Sequence, residues 1–223
     1  DEIFPLLGAF IGSTTGTQVP VINGLKANQP EHRLRALGAA AASTGSVGIF
    51  HAVGSTPEAP TLTAALGERE PLNSISVSVE DLQEMRSKLT SATGTDLGTV
   101  ALGTPHYSIE EFSILRSLVS GKKKHPNIDF YVSAGRDVLL ELELRGWADE
   151  LRSFGVSLVG DTCTYFSPIL SNTLDPAMTD SGKWAYYAPN NLGVEVIYSS
   201  TSDCVASAIE GRVILDESIW THE

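Results

Sequence analysis

Val156-Ser157-Leu158-Val159-Gly160-Asp161-Thr162-Cys163-Thr164 is the stretch whose reading decides the fold. Residues 156–159 are short, apolar and rich in branched side chains, the pattern of a buried strand. They stop abruptly in an acid, a hydroxyl, a thiol and a second hydroxyl. Polar residues just past the carboxyl end of a buried strand lie where open α/β sheets bind ligands. A later run, Met178-Thr-Asp-Ser-Gly-Lys-Trp-Ala-Tyr-Tyr-Ala-Pro189, gathers Thr179, Ser181, Gly182 and Lys183 into one polar turn ahead of aromatic residues.

The same order of strand, polar loop and helix recurs on both sides of this stretch. Residues 99–102 read as a strand that ends in Gly103-Thr-Pro-His106. Ser108-Ile-Glu-Glu111 has the spacing of a capping box, so a helix is expected to start there, with Phe112, Leu115 and Leu118 on its core face. A third strand spans 128–132. Gly146 interrupts the helical material after it, and Trp147, Leu151 and Phe154 form an apolar stripe closed by Gly155. A further strand, 194–198, leads to Ser202-Asp-Cys204, with Ser202 as the expected N-cap of a helix through Val205 and Ile209. Towards the amino end, 47–50 reads as a strand followed by His51 and Gly54-Ser-Thr-Pro-Glu58. Helices are expected from Pro30 to Gly45 and after Ser78, whereas 8–24, rich in Gly, Thr and Val, reads as loop and short extended structure. Such alternation gives right-handed βαβ units, hence an α/β fold with a mainly parallel sheet covered on both faces. It is expected to form one domain over 1–223. His51, Thr104, His106, Cys163 and Cys204 then share one sheet edge.

Composition narrows the function. Of 223 residues, 42% are hydrophobic and 19% charged, which describes a globular chain and excludes a disordered one. Lys and Arg number 15 against 27 Asp and Glu, a net charge of -12 with no basic cluster beyond Lys122-Lys123-Lys124, so nucleic acid is not an expected partner. No apolar run reaches the roughly 18 residues of a membrane span. Asp1 and Glu2 precede the apolar 4–11 segment where a signal peptide carries positive charge. Two cysteines exclude a disulfide-dense scaffold and fit a reducing cytoplasm. The chain opens without Met and in mid-pattern, as a piece of a longer polypeptide does.

Each candidate site residue has a bland counterpart. A single His after a strand is more often structural than catalytic, but His51 and His106 occupy equivalent loop positions, and imidazole suits proton transfer or metal ligation. Free Cys is commonly a small buried hydrophobe. Cys163, however, sits among Asp161, Thr162 and Thr164, and Cys204 falls in a first helical turn, where the dipole favours thiolate. Ser181-Gly-Lys183 lacks the flanking glycines of a nucleotide phosphate loop. With Trp184, Tyr186 and Tyr187 behind it, it reads as an anion-binding turn for a small substrate. Two classes remain: a lyase or isomerase acting on a small anion with a metal or cluster, and a non-catalytic α/β partner subunit.

Gly54-Ser-Thr-Pro-Glu-Ala59, Gly103-Thr-Pro-His-Tyr-Ser108-Ile-Glu-Glu111, Asp161-Thr-Cys163, Ser181-Gly-Lys183 and Asp203-Cys204 occur together and in order. As a set they resemble aconitase X, specifically the carboxyl-terminal half of its large subunit or domain, over about 8–212. The resemblance implies three stacked layers, α/β/α, an iron–sulfur cluster and dehydration of a small hydroxy acid. That acid is cis-3-hydroxy-L-proline or, as the second choice, mevalonate 5-phosphate. It implies His51, His106 and Lys183 in catalysis, Thr104, Ser181 and Gly182 on the substrate, and Cys163 and Cys204 on the metal. It also implies an amino-terminal region and a small swivelling domain as partners. Thr104 departs from the pattern: many members carry Cys there, and a neutral hydroxyl is a poor cluster ligand.

Overall fold

The computed structural model describes residues 1–220. Where the alternation reads as one domain, these residues divide into two compact units. One is built by Asp1 and Ile3–Met85, the other by Glu2 and the chain from Arg86 onward.

The first unit centres on two helices, α1 (Ile3–Thr15) and α2 (Glu31–Thr44), which bury Phe4, Leu7, Ile11, Leu37 and Ala41 between them. Most of α1 lies in the segment read as loop and extended structure, so that reading is corrected. Its glycines are not helix breakers here. A Cβ on Gly8 would stand 2.1 Å from the Leu37 carbonyl oxygen, and one on Gly12 would stand 2.5 Å from that of Ala41. The two backbones approach so closely that only glycine fits. Residues 47–50 are not a strand. The short parallel ladder is formed instead by β1 (Val21–Ile22) and β2 (His51–Ala52), one step further along. The unit also holds α3 (Leu62–Leu66) and the larger part of α4 (Val79–Lys88), whose Leu82 packs on the same apolar cluster.

The second unit carries the sheet. In chain order its elements are β3 (Thr99–Tyr107), α5 (Ile109–Val119), β4 (Asp129–Ala134), α6 (Arg136–Leu144), α7 (Trp147–Phe154), β5 (Ser157–Gly160), β6 (Ala177–Thr179), α8 (Gly182–Leu192), β7 (Val196–Tyr198) and α9 (Thr201–Glu210). The five strands lie in the order β5-β4-β3-β6-β7, and every pairing is parallel. Alternate strand residues Val100, Leu102, Phe130, Val132, Met178 and Ile197 form one core with Phe112 and Leu115 of α5, Leu151 and Phe154 of α7, and Val205 and Ala208 of α9. No residue of α8 joins that core. It covers the opposite face with Trp184, which is wholly buried. This is the expected three-layer α/β/α arrangement. The capping box at Ser108 and Glu111 is present as read, but Ser200, not Ser202, caps α9, because its hydroxyl accepts the Asp203 N–H at 3.0 Å. The strand β6 was not legible in the sequence.

Candidate active site at the sheet switch point

From β3 the chain moves one way to β4 and β5, then returns to place β6 on the other flank of β3. The following helices, α5 after β3 and α8 after β6, lie on opposite faces. Strand order thus reverses between β3 and β6, which opens a crevice at their carboxyl ends. The residues that leave those two strands form the candidate site.

On the β3 side the strand bulges between Leu102 and Tyr107. Gly103 makes the bulge possible. Its φ is +84°, and a Cβ there would fall 2.2 Å from the Ser133 carbonyl oxygen on β4. Gly103→Ala is expected to lower unfolding stability by roughly 1–3 kcal/mol, measurable as a lower denaturant midpoint. The Thr104–Pro105 peptide is cis. Thr104 is 2% exposed, and its hydroxyl has no hydrogen-bond partner among the described residues; the Ser133 hydroxyl is buried and unpaired in the same sense. His106 is half-buried, with Nε2 3.3 Å from the carbonyl oxygen of Thr162. This contact joins the β5 loop to the end of β3; the half-buried Cys163 is the next residue of that loop. Asp161, in a left-handed conformation, turns that loop. Its carboxyl is held below the usual carboxylate range chiefly by the Arg136 backbone N–H, with the guanidinium adding to the effect.

On the β6 side, Thr179 donates its hydroxyl to the Ala101 carbonyl at 2.6 Å and so locks β6 to β3. Ser181 is the N-cap of α8: its oxygen accepts the Trp184 N–H at 3.0 Å while its proton goes to the Thr104 carbonyl. That commits the Ser181 hydroxyl proton to the turn, whereas the Thr104 hydroxyl, also expected on the substrate, is uncommitted among the described residues. Lys183, in the first turn of α8, is half-buried and makes no hydrogen bond or ion pair among the described residues. Trp184 donates its indole N–H to Thr164 at 2.8 Å, and Tyr165 stacks on Tyr187 at 5.4 Å. The β5 loop is thereby fastened to α8.

Between these two sides stands Asp180, a residue given no role from sequence. Its Oδ2 accepts hydrogen bonds from the Tyr107 hydroxyl and, at 2.8 Å, from the Thr201 hydroxyl. Burial pushes its pKa up to about 6, against the hydrogen bonds that lower it, with Glu111 adding repulsion. Tyr107 is raised by burial and by Asp180, so it stays a neutral donor. An acid between a strand and a helix N-cap is the sequence signal that marks it.

His51, another expected site residue, belongs to the first unit, where its Nδ1 is buried without a partner among the described residues. Cys204 is wholly buried in the core beneath α9, and burial, together with the carboxyls of Asp180, Asp203 and Glu2, pushes its thiol well up. Desolvation overrides the helix dipole that suggested a thiolate. The strands delivering the two thiols, β5 and β7, are the two edges of the sheet, about 19 Å apart at four strand spacings. A cluster takes three or four thiolates. Among the described residues no group of three or more His, Cys, Asp or Glu is placed to hold a metal ion. These residues do not by themselves make a cluster site. Nor is any helix among them long and apolar enough to cross a membrane.

Comparison with known proteins follows the same two-part division. The model of the aconitase X second domain matches residues 1–87, and that of the third domain matches 97–210. Cis-3-hydroxy-L-proline dehydratase of Pseudomonas aeruginosa is 37% identical over 100% of this chain and 39% of its own length. That of Hypocrea jecorina is 36% identical over 95% of this chain and 36% of its own. The phosphomevalonate dehydratase large subunit of Methanothermobacter thermautotrophicus is 31% identical over 86% of this chain and 46% of its own. The solved aconitase X of Thermococcus kodakaraensis, in its holo form, superposes with a TM-score of 0.80 at 27% identity, over 92% of this chain and 51% of that one. The chain therefore spans about half or less of the length of these relatives. On its two matched domains and this shared fold, it belongs to the aconitase X family.

Proposed function

We propose that the complete protein is a hydro-lyase that removes water from a small hydroxy acid, cis-3-hydroxy-L-proline in the first instance. The observation that carries this is the sheet switch point, where Lys183, unpaired among the described residues, stands in the first turn of α8, the helix that follows β6, while His106 lies at the end of the neighbouring β3. An ammonium next to the free N–H groups of a helix start suits one carboxylate. Breaking a C–H bond next to that carboxylate builds negative charge onto it, and fixed donors stabilise that charge. His106 is placed to move a proton at the departing hydroxyl. The identity of 37% with a cis-3-hydroxy-L-proline dehydratase, against 31% with a phosphomevalonate dehydratase large subunit, favours the unphosphorylated acid.

An iron–sulfur cluster in the complete protein would draw its further thiolates from outside this chain, since Cys163 is the one thiol here that reaches the crevice edge. The remainder of the large subunit and a small swivelling domain are the proposed partners, in a reducing, cytoplasmic setting. Turnover assays of the complete protein with cis-3-hydroxy-L-proline and with mevalonate 5-phosphate test the reading. Water loss from the first is expected at the higher kcat/KM, and preference for the phosphorylated acid overturns it.

A further inference from the structure

We propose that Asp180 is the base of the site, the carboxylate that takes the carbon-bound proton of the hydroxy acid. The inference rests on the dehydratase reading above. It begins from position: Asp180 is the first residue past β6, at the switch point, between the Tyr107 end of β3 and the Ser181–Lys183 turn. The carboxyl is held at one oxygen only. Oδ2 takes both the Tyr107 and the Thr201 hydroxyls, which fixes the group from β3 and from the first residue of α9. No other described residue bonds Oδ1, and it is not one of the buried unpaired atoms; the backbone N–H of Asp180 itself adds to the bonds on the carboxyl. One oxygen anchored and one open is the arrangement that proton abstraction requires.

The surroundings keep this carboxylate basic. The groups that face it are Tyr107 of β3, Glu111 of α5, Thr201 and Cys204 of α9 and Tyr198 of β7, none of them a cation. A carboxylate without a cationic partner keeps its affinity for a proton, and its pKa of about 6 leaves it ionised near neutrality but close to the working pH. Two hydroxyl bonds and its own backbone N–H hold the ionised form without neutralising it. Lys183, three residues on, is free to hold the substrate instead.

The step balances without any redox partner. The C–H bond breaks and its proton forms an O–H bond at Oδ1. The released electron pair becomes the second bond of C=C, and the C–O bond breaks with its pair leaving on the hydroxyl oxygen. That hydroxide and the proton taken by Asp180 together make up the water lost.

The test is Asp180→Asn in the complete protein, assayed with cis-3-hydroxy-L-proline across pH. Asn keeps an acceptor for Tyr107 and Thr201, so the fold is expected to survive. Turnover should fall about 1,000-fold with KM nearly unchanged. The acid limb of kcat/KM near pH 6 should vanish from the residual activity. Thr201→Val is the second variant. It removes one hydroxyl that stabilises the charged carboxyl, so the acid limb should move to higher pH in a folded, active protein. If Asp180→Asn folds, keeps more than about a tenth of the turnover and keeps its acid limb, the assignment is overturned. If it does not fold, a Thr201→Val limb that stays in place overturns it and a limb that moves up supports it. A wild-type protein that dehydrates neither hydroxy acid overturns the dehydratase reading itself. An active wild type with indifferent variants overturns the Asp180 assignment alone.

Discussion

Lys183→Met in the complete protein is expected to lower kcat/KM by about 100- to 1,000-fold with the melting temperature unchanged or slightly raised. The sign of the stability effect follows from where Lys183 stands. A cation in the first turn of a helix faces the positive end of the dipole, which costs about 0.3–1 kcal/mol at an exposed position. No acidic partner offsets this, since Lys183 has no ion pair among the described residues. A side chain that weakens its own helix and bonds to nothing has no structural reason to be a lysine. An arriving carboxylate supplies one: it would meet the ammonium and the free N–H groups of α8 together. Because charge on that carboxylate grows as the C–H bond breaks, the loss should fall on kcat as well as on KM. An idle surface lysine predicts the contrary outcome, a stability change below about 0.5 kcal/mol with catalysis untouched. Steady-state kinetics at low and at saturating substrate, beside a thermal melt, separate the two.

What could be read from sequence was set by which interactions are local. The capping box at Ser108 and the strands at 99–102, 128–132 and 156–159 announce themselves because each depends on residues a few positions apart. The helix α1 does not. Gly8 and Gly12 argue against a helix locally, and only the Leu37 and Ala41 carbonyls of a distant helix explain them. Three-residue β6 has no alternation of its own and is a strand because β3 and β7 flank it. The site divides in the same way. His106 and Cys163 could be placed at the carboxyl edge from strand endings alone, and Lys183 only as part of a polar turn. Whether a side chain then points into the crevice or into the core depends on packing, and that is where Cys204 was misjudged: a helix start gives its position and not its direction. Asp180 was missed for a related reason. Its partners Tyr107 and Thr201 stand 73 and 21 residues away, and without them it is one acid in a polar turn.

Two half-buried carboxyls give the protein an unusual pH dependence, with stability expected to fall as pH rises from about 4 to 7 rather than to increase. Asp180 is raised from 3.8 to about 6, first by burial. Glu2 is raised from 4.5 to about 7, again first by burial, with Arg86 lowering it and Asp203 raising it. A carboxyl whose folded pKa lies above its unfolded value binds its proton more tightly in the folded state. The stabilisation is therefore complete below the unfolded pKa and lost as pH climbs through the folded one. The window runs from about 4 to 6 for Asp180 and from about 4.5 to 7 for Glu2. At 1.36 kcal/mol per unit, each shift corresponds to about 3 kcal/mol before screening. Asp180 keeps some exposure and Glu2 lies 3.7 Å from Arg86, so a combined loss of about 3 kcal/mol is the reasonable expectation. The surface carboxyls that Arg136 and Arg152 hold low, Asp161 and Glu143, act in the opposite sense and only at more acid pH, so they do not cancel it. Denaturant midpoints of the complete protein at pH 4.5 and 7.5 measure the effect, and Asp180→Asn and Glu2→Gln apportion it. Each amide removes a titration without removing the side chain's shape, so each should flatten part of the slope and raise the midpoint at pH 7.5. If the wild-type midpoint rises between these two values, the carboxyls are ionised at little cost, and burial does not control the proton affinity of Asp180.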